Sequence, residues 1–212
     1  MQIITLLPIL LFCVFTYLYG SIPFGYWIAL KIKKINIRNV GSGNIGATNI
    51  TRILGLKFGF VSFLFDFSKG FLPFFLGGYL FPHLSRDLLL LISSLGIIGH
   101  DFSPFLSFKG GKGIGTTFGL AVIFHYPSAV LVLFLWFVII FITGYVSLAS
   151  IIGVFLIPIL YYLFGLIKLY PYSLYFALFF SLLGIFQHRS NIIRLLHHNE
   201  KVTFRKNLLG NK

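Results

Sequence analysis

The sequence predicts an all-α integral membrane protein with about seven transmembrane helices, some of them short or re-entrant. Of its 212 residues, 58% are hydrophobic and only 10% are charged, whereas about a quarter of the residues in soluble proteins are charged. The apolar residues form long runs without the period-2 alternation of membrane barrel strands. Spans of this length leave no room for a separate soluble domain, so residues 1–212 are interpreted as one polytopic membrane domain.

The apolar runs lie at about residues 2–30, 58–82, 87–106, 114–142, 145–167 and 169–187. We interpret the first run as a transmembrane span, because it lacks the basic segment that opens a signal peptide. The fourth run carries His125-Tyr126-Pro127 near its middle, and a proline breaks a helix at about that point. Two short helices there, one of them re-entrant or strongly tilted, raise the count to about seven spans.

The basic residues indicate how the chain is oriented in the membrane. The chain has 17 Lys and Arg against four Asp and Glu, a net charge of +13. Most of the positive charge lies in two segments, residues 31–57 and the tail from 188 to 212, and positively charged segments face the cytoplasm. The N-terminus is therefore expected outside and the C-terminus inside. Because these bases flank apolar spans, membrane lipid is a better partner for them than nucleic acid.

The first basic segment contains a glycine pattern, Gly41-x-Gly43-x-x-Gly46, that has the spacing of a dinucleotide-binding turn. No buried strand precedes it, so the dinucleotide interpretation fails on context. What remains is a loop whose backbone N–H groups could surround an anion, beside Arg52, whose planar guanidinium suits phosphate. Neutral polar side chains accompany it at Ser42, Asn44, Thr48 and Asn49. The alternative is a flexible turn in which Arg52 binds a lipid headgroup.

A second glycine-rich loop, "FKGGKGIGTT", covers residues 108–117. It lacks the residue order of a Walker A loop, yet it combines glycines, two cations and a probable helix start, which are the parts of a phosphate site. The candidate phosphate-binding residues are Lys109, Gly110, Gly111, Lys112, Gly113 and Thr116. Upstream, His100 and Asp101 are weak candidates for a general base, because neighbouring residues on a helix point in different directions.

The tail adds a polar stripe, since His188, Asn191 and Arg194 recur every three residues and share one helix face. Its alternative interpretation is an interfacial helix that binds acidic lipid. Within the membrane, Asp66 and Lys69 are three residues apart and are expected to form a structural pair.

The sequence predicts no metal and no cofactor, because the acids are few and scattered, and no covalent nucleophile is evident. Two phosphate loops at a membrane surface suggest two phosphate-bearing ligands, one of them a lipid. A magnesium-dependent phosphotransferase should show clustered acids. A transporter of phosphate or organic anions remains the alternative function, although such transporters favour internal repeats that the sequence does not show.

Three motifs carry a resemblance to a known family: "GSGNIGATNITRILG", "GHDFSPFLSFKGGKGIGTTFG" and "HRSNIIRLLHHNE". Together with "GSIPFG" and "DFSKGFLP", they occur in the order found in the bacterial acyl-phosphate:glycerol-3-phosphate acyltransferases, the PlsY family. The chain resembles that family over nearly its whole length. The resemblance implies a seven-helix protein of the bacterial cytoplasmic (inner) membrane with its active site on the cytoplasmic face.

The resemblance also implies the reaction. A fatty acyl group moves from acyl phosphate to the 1-hydroxyl of glycerol 3-phosphate, giving lysophosphatidic acid and phosphate without coenzyme A or acyl carrier protein as direct donor. It implies a functional link to the enzyme that forms acyl phosphate. No protein general base is assigned in the family, where the donor's own phosphate is suggested to take the hydroxyl proton.

The motifs assign roles residue by residue, again as the resemblance implies them. The catalytic residues would be Ser42, Arg52, Lys112, His188 and Asn191. Around them, Gly43, Asn44 and Gly46 would shape one anion site, Gly110 and Gly111 would form the phosphate loop with Lys112, and Glu200 would give structural support. The chain departs from the family pattern at His198, where glycine is usual, and at Gly115, where alanine is common.

Overall fold

The computed structural model describes residues 2–166 and 173–203, and every regular element in them is a helix. Short 3₁₀ turns at Ile37–Asn39 and Pro104–Leu106 supplement the α-helices. The α-helices are α1 (Gln2–Ser21), α2 (Phe24–Lys33), α3 (Ala47–Leu54), α4 (Leu56–Leu80), α5 (Arg86–Asp101), α6 (Ile114–Thr143), α7 (Val146–Leu163), α8 (Ser173–Gln187) and α9 (Arg189–Leu196).

Most of these helices are apolar enough for a bilayer. Five stretches of the described residues have the length and composition to cross a membrane, and Leu174–Gln187 is a shorter apolar helix. The five stretches are Leu6–Lys33, Leu56–Leu80, Arg86–Leu106, Ile114–Thr143 and Val146–Leu163. The prediction of an all-helical fold is confirmed. The count of seven crossings and their direction stay predictions, and part of the run at 169–187 and the tail bases Arg205, Lys206 and Lys212 lie outside the described residues.

The chain divides into two compact units, residues 1–124 and residues 125–212. The boundary falls within α6, where His125 has non-helical backbone angles (φ −156°, ψ 93°). This break confirms the one predicted at His125-Tyr126-Pro127, since Pro127 has no N–H for the helical ladder. The interpretation of residues 1–212 as one domain stays a prediction.

The first apolar run differs from its prediction as one span over residues 2–30. It is divided at Ile22–Pro23 into α1 and α2. Pro23 (φ −88°, ψ 69°) leaves the helical region and has no N–H to donate to an earlier turn. A separate short helix therefore leads from the first span to the first glycine-rich loop, and it ends in the basic residues Lys31 and Lys33.

In the first unit, hydrogen bonds join α1 to the residues that follow α5. Tyr17 Oη donates a hydrogen bond to the carbonyl oxygen of Phe102 (2.8 Å), and Ser103 Oγ donates to the carbonyl oxygen of Ser21 (2.6 Å). Gly20 and Gly96 let the backbones of α1 and α5 come into contact, because a Cβ at Gly20 would overlap Gly96. Small residues at crossings are the usual basis of close helix packing in membranes. The second glycine-rich loop therefore leaves a well-fixed helix end.

In the second unit, α7 packs on α8 and on the part of α6 after His125. An apolar cluster of Ile140, Val146 and Ala149 lies at the turn between α6 and α7, which passes through Gly144 (φ 76°). Trp136 Nε1 donates to Ser150 Oγ at 3.1 Å, so a partly buried polar pair joins the two helices. This turn lies directly beside the residues of the third motif, as described below.

Candidate active site

Asn49 organises the first glycine-rich loop from inside. Its side chain is buried, and its Nδ2 donates to the carbonyl oxygens of Val40 (3.0 Å) and Asn44 (2.9 Å), while its Oδ1 accepts from the N–H of Ser42 (2.8 Å). Gly41 lies against this amide with φ 66°, and a Cβ there would overlap Asn49 Oδ1. The sequence predicted that Asn49 contacts phosphate, whereas its hydrogen-bonding capacity is spent on the shape of the loop.

Internal hydrogen bonds also take three of the N–H groups expected to surround an anion. The N–H of Ser42 donates to Asn49, that of Gly43 to the carbonyl oxygen of Val40 (3.1 Å), and that of Gly46 to Asn44 Oδ1 (2.7 Å). The expected role of these amides therefore changes from anion donors to loop closure. An anion at this loop would meet side chains and the N–H groups of Ala47 and Thr48, which as the first two residues of α3 have no acceptor within the helix.

The side chains of this loop reach its surface. Ser42 is exposed, and Thr48 and Arg52 are partly exposed. Thr48 and Arg52 are four residues apart on α3, so they lie on one face of that helix. A hydroxyl and a guanidinium on one face form a suitable contact for phosphate oxygens.

The second glycine-rich loop folds back onto the end of α5. The N–H of Gly110 donates to the carbonyl oxygen of Asp101 (3.1 Å), and the N–H of Gly111 donates to that of His100 (2.9 Å). A Cβ at Gly111 would overlap His100 Nε2. Both glycines were expected to give their N–H groups to phosphate, yet they serve instead to let the loop contact α5.

The donors of this second loop lie just beyond its glycine pair. Gly113 (φ 67°) turns the chain into α6, and the first helical hydrogen bond there runs from Thr117 N–H to the carbonyl oxygen of Gly113 (2.7 Å). The first turn of α6 therefore directs N–H groups away from the helix, as helix N-termini that bind anions do. Lys112 precedes this turn and is partly exposed, while Lys109 is exposed. Thr116 is buried in the same turn, and its Oγ1 has no hydrogen-bond partner among the described residues.

One apolar cluster joins the first loop to the turn that leads into the second. Ile45 and Ile50 from the first loop and α3 pack with Leu106 of the 3₁₀ turn Pro104–Leu106. Ala29 of α2 and Ile37 complete the cluster, and all five residues are buried. The fold thus brings the segment that carries Arg52 beside the segment that leads to Lys112, although 60 residues of sequence separate the two side chains.

The third motif surrounds Glu200 in the second unit. The Glu200 carboxylate is 7% exposed and accepts from Asn191 Nδ2 (2.7 Å), from Arg194 Nε (2.7 Å) and from Ser147 Oγ (3.0 Å). The N–H of Thr203 donates to the carbonyl oxygen of Gly144 (3.2 Å). Glu200 thus ties α9 to the turn between α6 and α7, the position expected of a supporting residue.

His188 is held at the junction of α8 and α9. It is buried, and its Nδ1 lies 2.8 Å from the carbonyl oxygen of Gly184. A carbonyl can only accept, so Nδ1 carries a proton, an assignment made from the hydrogen bond. The motif's departure at His198 keeps the left-handed conformation typical of glycine, with φ 57°.

Comparison with known proteins identifies the family. A profile described as Glycerol-3-phosphate acyltransferase matches residues 10–198, which covers the first two motifs and all but the last two residues of the third. The chain belongs to the glycerol-3-phosphate acyltransferase family. A family member from Leptospira borgpetersenii is 39% identical over 194 residues, covering 90% of this chain and 89% of its own length. One from Aquifex aeolicus is 42% identical over 189 residues, covering 88% of this chain and 95% of its own.

Two solved structures of the family share the fold. The crystal structure of PlsY (YgiH), an integral membrane glycerol 3-phosphate acyltransferase, in its glycerol 3-phosphate form has a TM-score of 0.81 at 39% identity, covering 91% of this chain and 94% of that one. Its lysophosphatidic acid form has a TM-score of 0.79 at 38% identity, with the same coverage. The predictions of a multi-pass membrane protein and of an acyltransferase are thereby confirmed, and the transporter alternative gains no support.

One cluster beside the family's second motif is larger than the sequence indicated. The predicted pair of Asp66 and Lys69 is confirmed, with Lys69 Nζ 2.8 Å from Asp66 Oδ1. His100 joins it, since its Nδ1 lies 3.1 Å from the same ammonium nitrogen. Helical spacing could show the pair, but the third member is 31 residues away on another helix. Within residues 2–166 and 173–203, no three His, Cys, Asp or Glu side chains are grouped as metal ligands.

Proposed function

We propose that the protein transfers a fatty acyl group from an acyl phosphate to the 1-hydroxyl of glycerol 3-phosphate. The products are lysophosphatidic acid and inorganic phosphate. Membership of the glycerol-3-phosphate acyltransferase family supports the acceptor and the reaction class. The two PlsY structures are 39% and 38% identical to this chain and are glycerol 3-phosphate and lysophosphatidic acid forms. They support the same acceptor and product for this chain.

The observation that carries the proposal is the apolar cluster that the first glycine-rich loop shares with the 3₁₀ turn leading into the second. It supports an arrangement in which two phosphate-binding elements lie side by side, as a reaction between two phosphate-bearing substrates requires. Ser42, Thr48 and Arg52 would bind one phosphate. Lys112 and the first-turn N–H groups of α6 would bind the other.

The chemistry balances without a cofactor. The 1-hydroxyl oxygen of glycerol 3-phosphate attacks the carbonyl carbon of the acyl phosphate, a C–O ester bond forms, and the C–O bond to the phosphate breaks. The hydroxyl proton leaves with the phosphate, which serves as its acceptor. Negative charge grows on the carbonyl oxygen and on the departing phosphate, and Lys112 and backbone N–H groups would stabilise it in the transition state.

The third motif would bind polar substrate atoms. The side chains of His188 and Asn191 are both buried and are fixed by partners of the second unit, Gly184 and Glu200. Fixed donors and acceptors lower the entropic cost of orienting a substrate. We assign both residues to substrate binding and Glu200 to holding Asn191 in place.

The location proposed is the bacterial inner membrane with the reacting groups on the cytoplasmic face. Exposed cations on both sides of the first loop, at Lys33, Lys34, Arg38 and Lys57, support this orientation through the positive-inside rule. An acyl phosphate hydrolyses readily, so an enzyme that forms it is the expected functional partner on the same face.

Donor identity is the test of this proposal. Purified protein in detergent would receive radiolabelled glycerol 3-phosphate with palmitoyl phosphate, palmitoyl-coenzyme A or palmitoyl-acyl carrier protein, without added metal. We expect labelled lysophosphatidic acid from palmitoyl phosphate alone, and no acylation of glycerol in a parallel reaction, because glycerol has no phosphate for either phosphate-binding element. Equal product from a thioester donor would overturn the donor assignment while leaving the family intact.

A further inference from the structure

Asp66, Lys69 and His100 form a buried ionisable cluster to which the proposed reaction gives no role. Lys69 is 1% exposed, and its Nζ donates to Asp66 Oδ1 at 2.8 Å and contacts His100 Nδ1 at 3.1 Å. The ring of Phe24 lies beneath the same ammonium group, 5.3 Å from its centroid to Nζ. One carboxylate and one ammonium keep the cluster neutral, which is the condition under which charges persist inside a membrane protein.

The imidazole of His100 lies between the ion pair and the second loop. Its Nδ1 is 3.1 Å from Lys69 Nζ and 3.3 Å from Asp66 Oδ1. The Nδ1 edge of the ring therefore faces the cluster. The opposite edge, at Nε2, lies against Gly111, where a Cβ would overlap it.

The same residue also holds the second loop through its backbone. The carbonyl oxygens of His100 and Asp101 accept the N–H groups of Gly111 and Gly110, at 2.9 Å and 3.1 Å. Lys112 is the next residue of the chain. The position of His100 therefore sets the position of the backbone from which the Lys112 side chain extends.

We propose that Asp66, Lys69 and His100 are positioning residues for acyl transfer: Lys69, held by Asp66, fixes the imidazole of His100, and the imidazole supports Gly111 so that Lys112 and the first turn of α6 meet the phosphate. The three residues act through the loop rather than on the substrate. This inference rests on the proposed function of Lys112. It goes beyond the structural ion pair that sequence spacing predicts for Asp66 and Lys69.

The expected effect is on turnover more than on substrate affinity. A displacement of about 1 Å in a positioned catalytic group can cost about 10²-fold in rate. His100→Ala should therefore lower kcat by about 10²-fold and change KM far less. A cluster that only stabilises the fold would instead reduce the fraction of folded protein without altering kcat of the folded fraction.

The decisive experiment tests whether removal of the His100 side chain makes room for a methyl group at Gly111. Gly111→Ala places a methyl group where the imidazole edge lies, so it should lose most activity. In the background of His100→Ala that space is vacant, and the double variant should be more active than Gly111→Ala alone. Ser93→Ala, at a buried position of α5 whose Oγ bonds only its own helix at Leu89 (2.7 Å), is the matched control and should keep wild-type kcat.

His100→Asn repeats the experiment with a smaller perturbation should His100→Ala not fold. Asparagine retains an oxygen that can accept from Lys69, yet it is too short to contact Gly111. All variants would be compared at equal amounts of monodisperse protein. Each single variant lowers kcat by some factor. If the two factors multiply when Gly111→Ala is combined with His100→Ala, or with His100→Asn, the inference is overturned.

A separate arm distinguishes the failure of the proposed function from the failure of this inference. Lys112→Ala with wild-type turnover would contradict the proposed role of the second loop. Loss of activity in Lys112→Ala, together with multiplicative behaviour of the His100 and Gly111 variants, would leave the proposed function standing and contradict only the positioning role.

Discussion

Substitution of Glu200 should affect both the stability of the fold and the orientation of the Asn191 amide. The carboxylate is 7% exposed and accepts from Asn191, Arg194 and Ser147. Glu200→Gln keeps one oxygen for Asn191 and Ser147 and loses the charged acceptor of Arg194. Because Arg194 is 33% exposed, solvent screens that bond, and the loss should be about 1–2 kcal/mol of unfolding free energy.

Glu200→Ala should cost more. It removes all three hydrogen bonds and leaves the Nδ2 group of Asn191, which is 3% exposed, without its carboxylate acceptor. Loss of a buried charged partner of this kind costs about 3–5 kcal/mol. Since the amide of Asn191 is then no longer oriented, kcat should fall about 10-fold or more, in the range of losses for displaced groups.

Unfolding in detergent, by heat and by titration with denaturant, measures the first effect, and acyl transfer at saturating substrate measures the second. Asn199→Ala is the control, because this neighbouring side chain is exposed and should change stability by less than about 0.5 kcal/mol. Wild-type, Glu200→Gln and Glu200→Ala should rank in that order. Equal stability of Glu200→Ala and Asn199→Ala would refute the reasoning.

Three further substitutions test the loops and the helix break. Asn49→Asp replaces a donor that faces backbone carbonyls by an acceptor, so the unfolding free energy should fall by about 3 kcal/mol and activity should be lost. Asn39→Asp, at an exposed position, should change neither. Equal stability and activity of the two variants would contradict the role assigned to Asn49. His198→Gly relieves a left-handed residue at φ 57° and should raise the unfolding free energy by about 0.5–1 kcal/mol, and a lower melting temperature would argue against it. Arg86 Nη2 donates to the carbonyl oxygens of Ile123 (2.8 Å) and Phe124 (3.2 Å) before the break in α6. Arg86→Ala should therefore lower the unfolding free energy by about 1 kcal/mol and leave kcat unchanged. A large fall in kcat would show that Arg86 has another role.

The regular part of the fold follows from local sequence. Long apolar runs predicted the helices, and Pro127 predicted the break found at His125, because a missing N–H acts within one or two turns. The same rule applies at Pro23, where the continuous hydrophobicity of the first run hid a second helix. Composition decides that a segment suits a bilayer, but one proline decides whether it continues as a single helix.

The candidate site was less predictable, because its hydrogen bonds join distant residues. The glycine spacing indicated loops with exposed amides, yet several of those amides close the loops onto Asn49 or onto the carbonyl oxygens of α5. The contact of Lys69 with His100 crosses 31 residues, and periodicity within one helix carries no information about it. The residue types were informative about chemistry, whereas the partner of each polar group depends on tertiary packing.

The most direct test of the account measures both products in one reaction. Purified protein would receive palmitoyl phosphate and radiolabelled glycerol 3-phosphate, and lysophosphatidic acid and inorganic phosphate would be counted together. We expect equal molar amounts of the two products from the wild type and from Lys57→Met, whose lysine is exposed outside the loops. Turnover of Lys112→Met should fall by about 10²–10³-fold. Phosphate release without lysophosphatidic acid, or wild-type turnover by Lys112→Met, would contradict acyl transfer at the second loop.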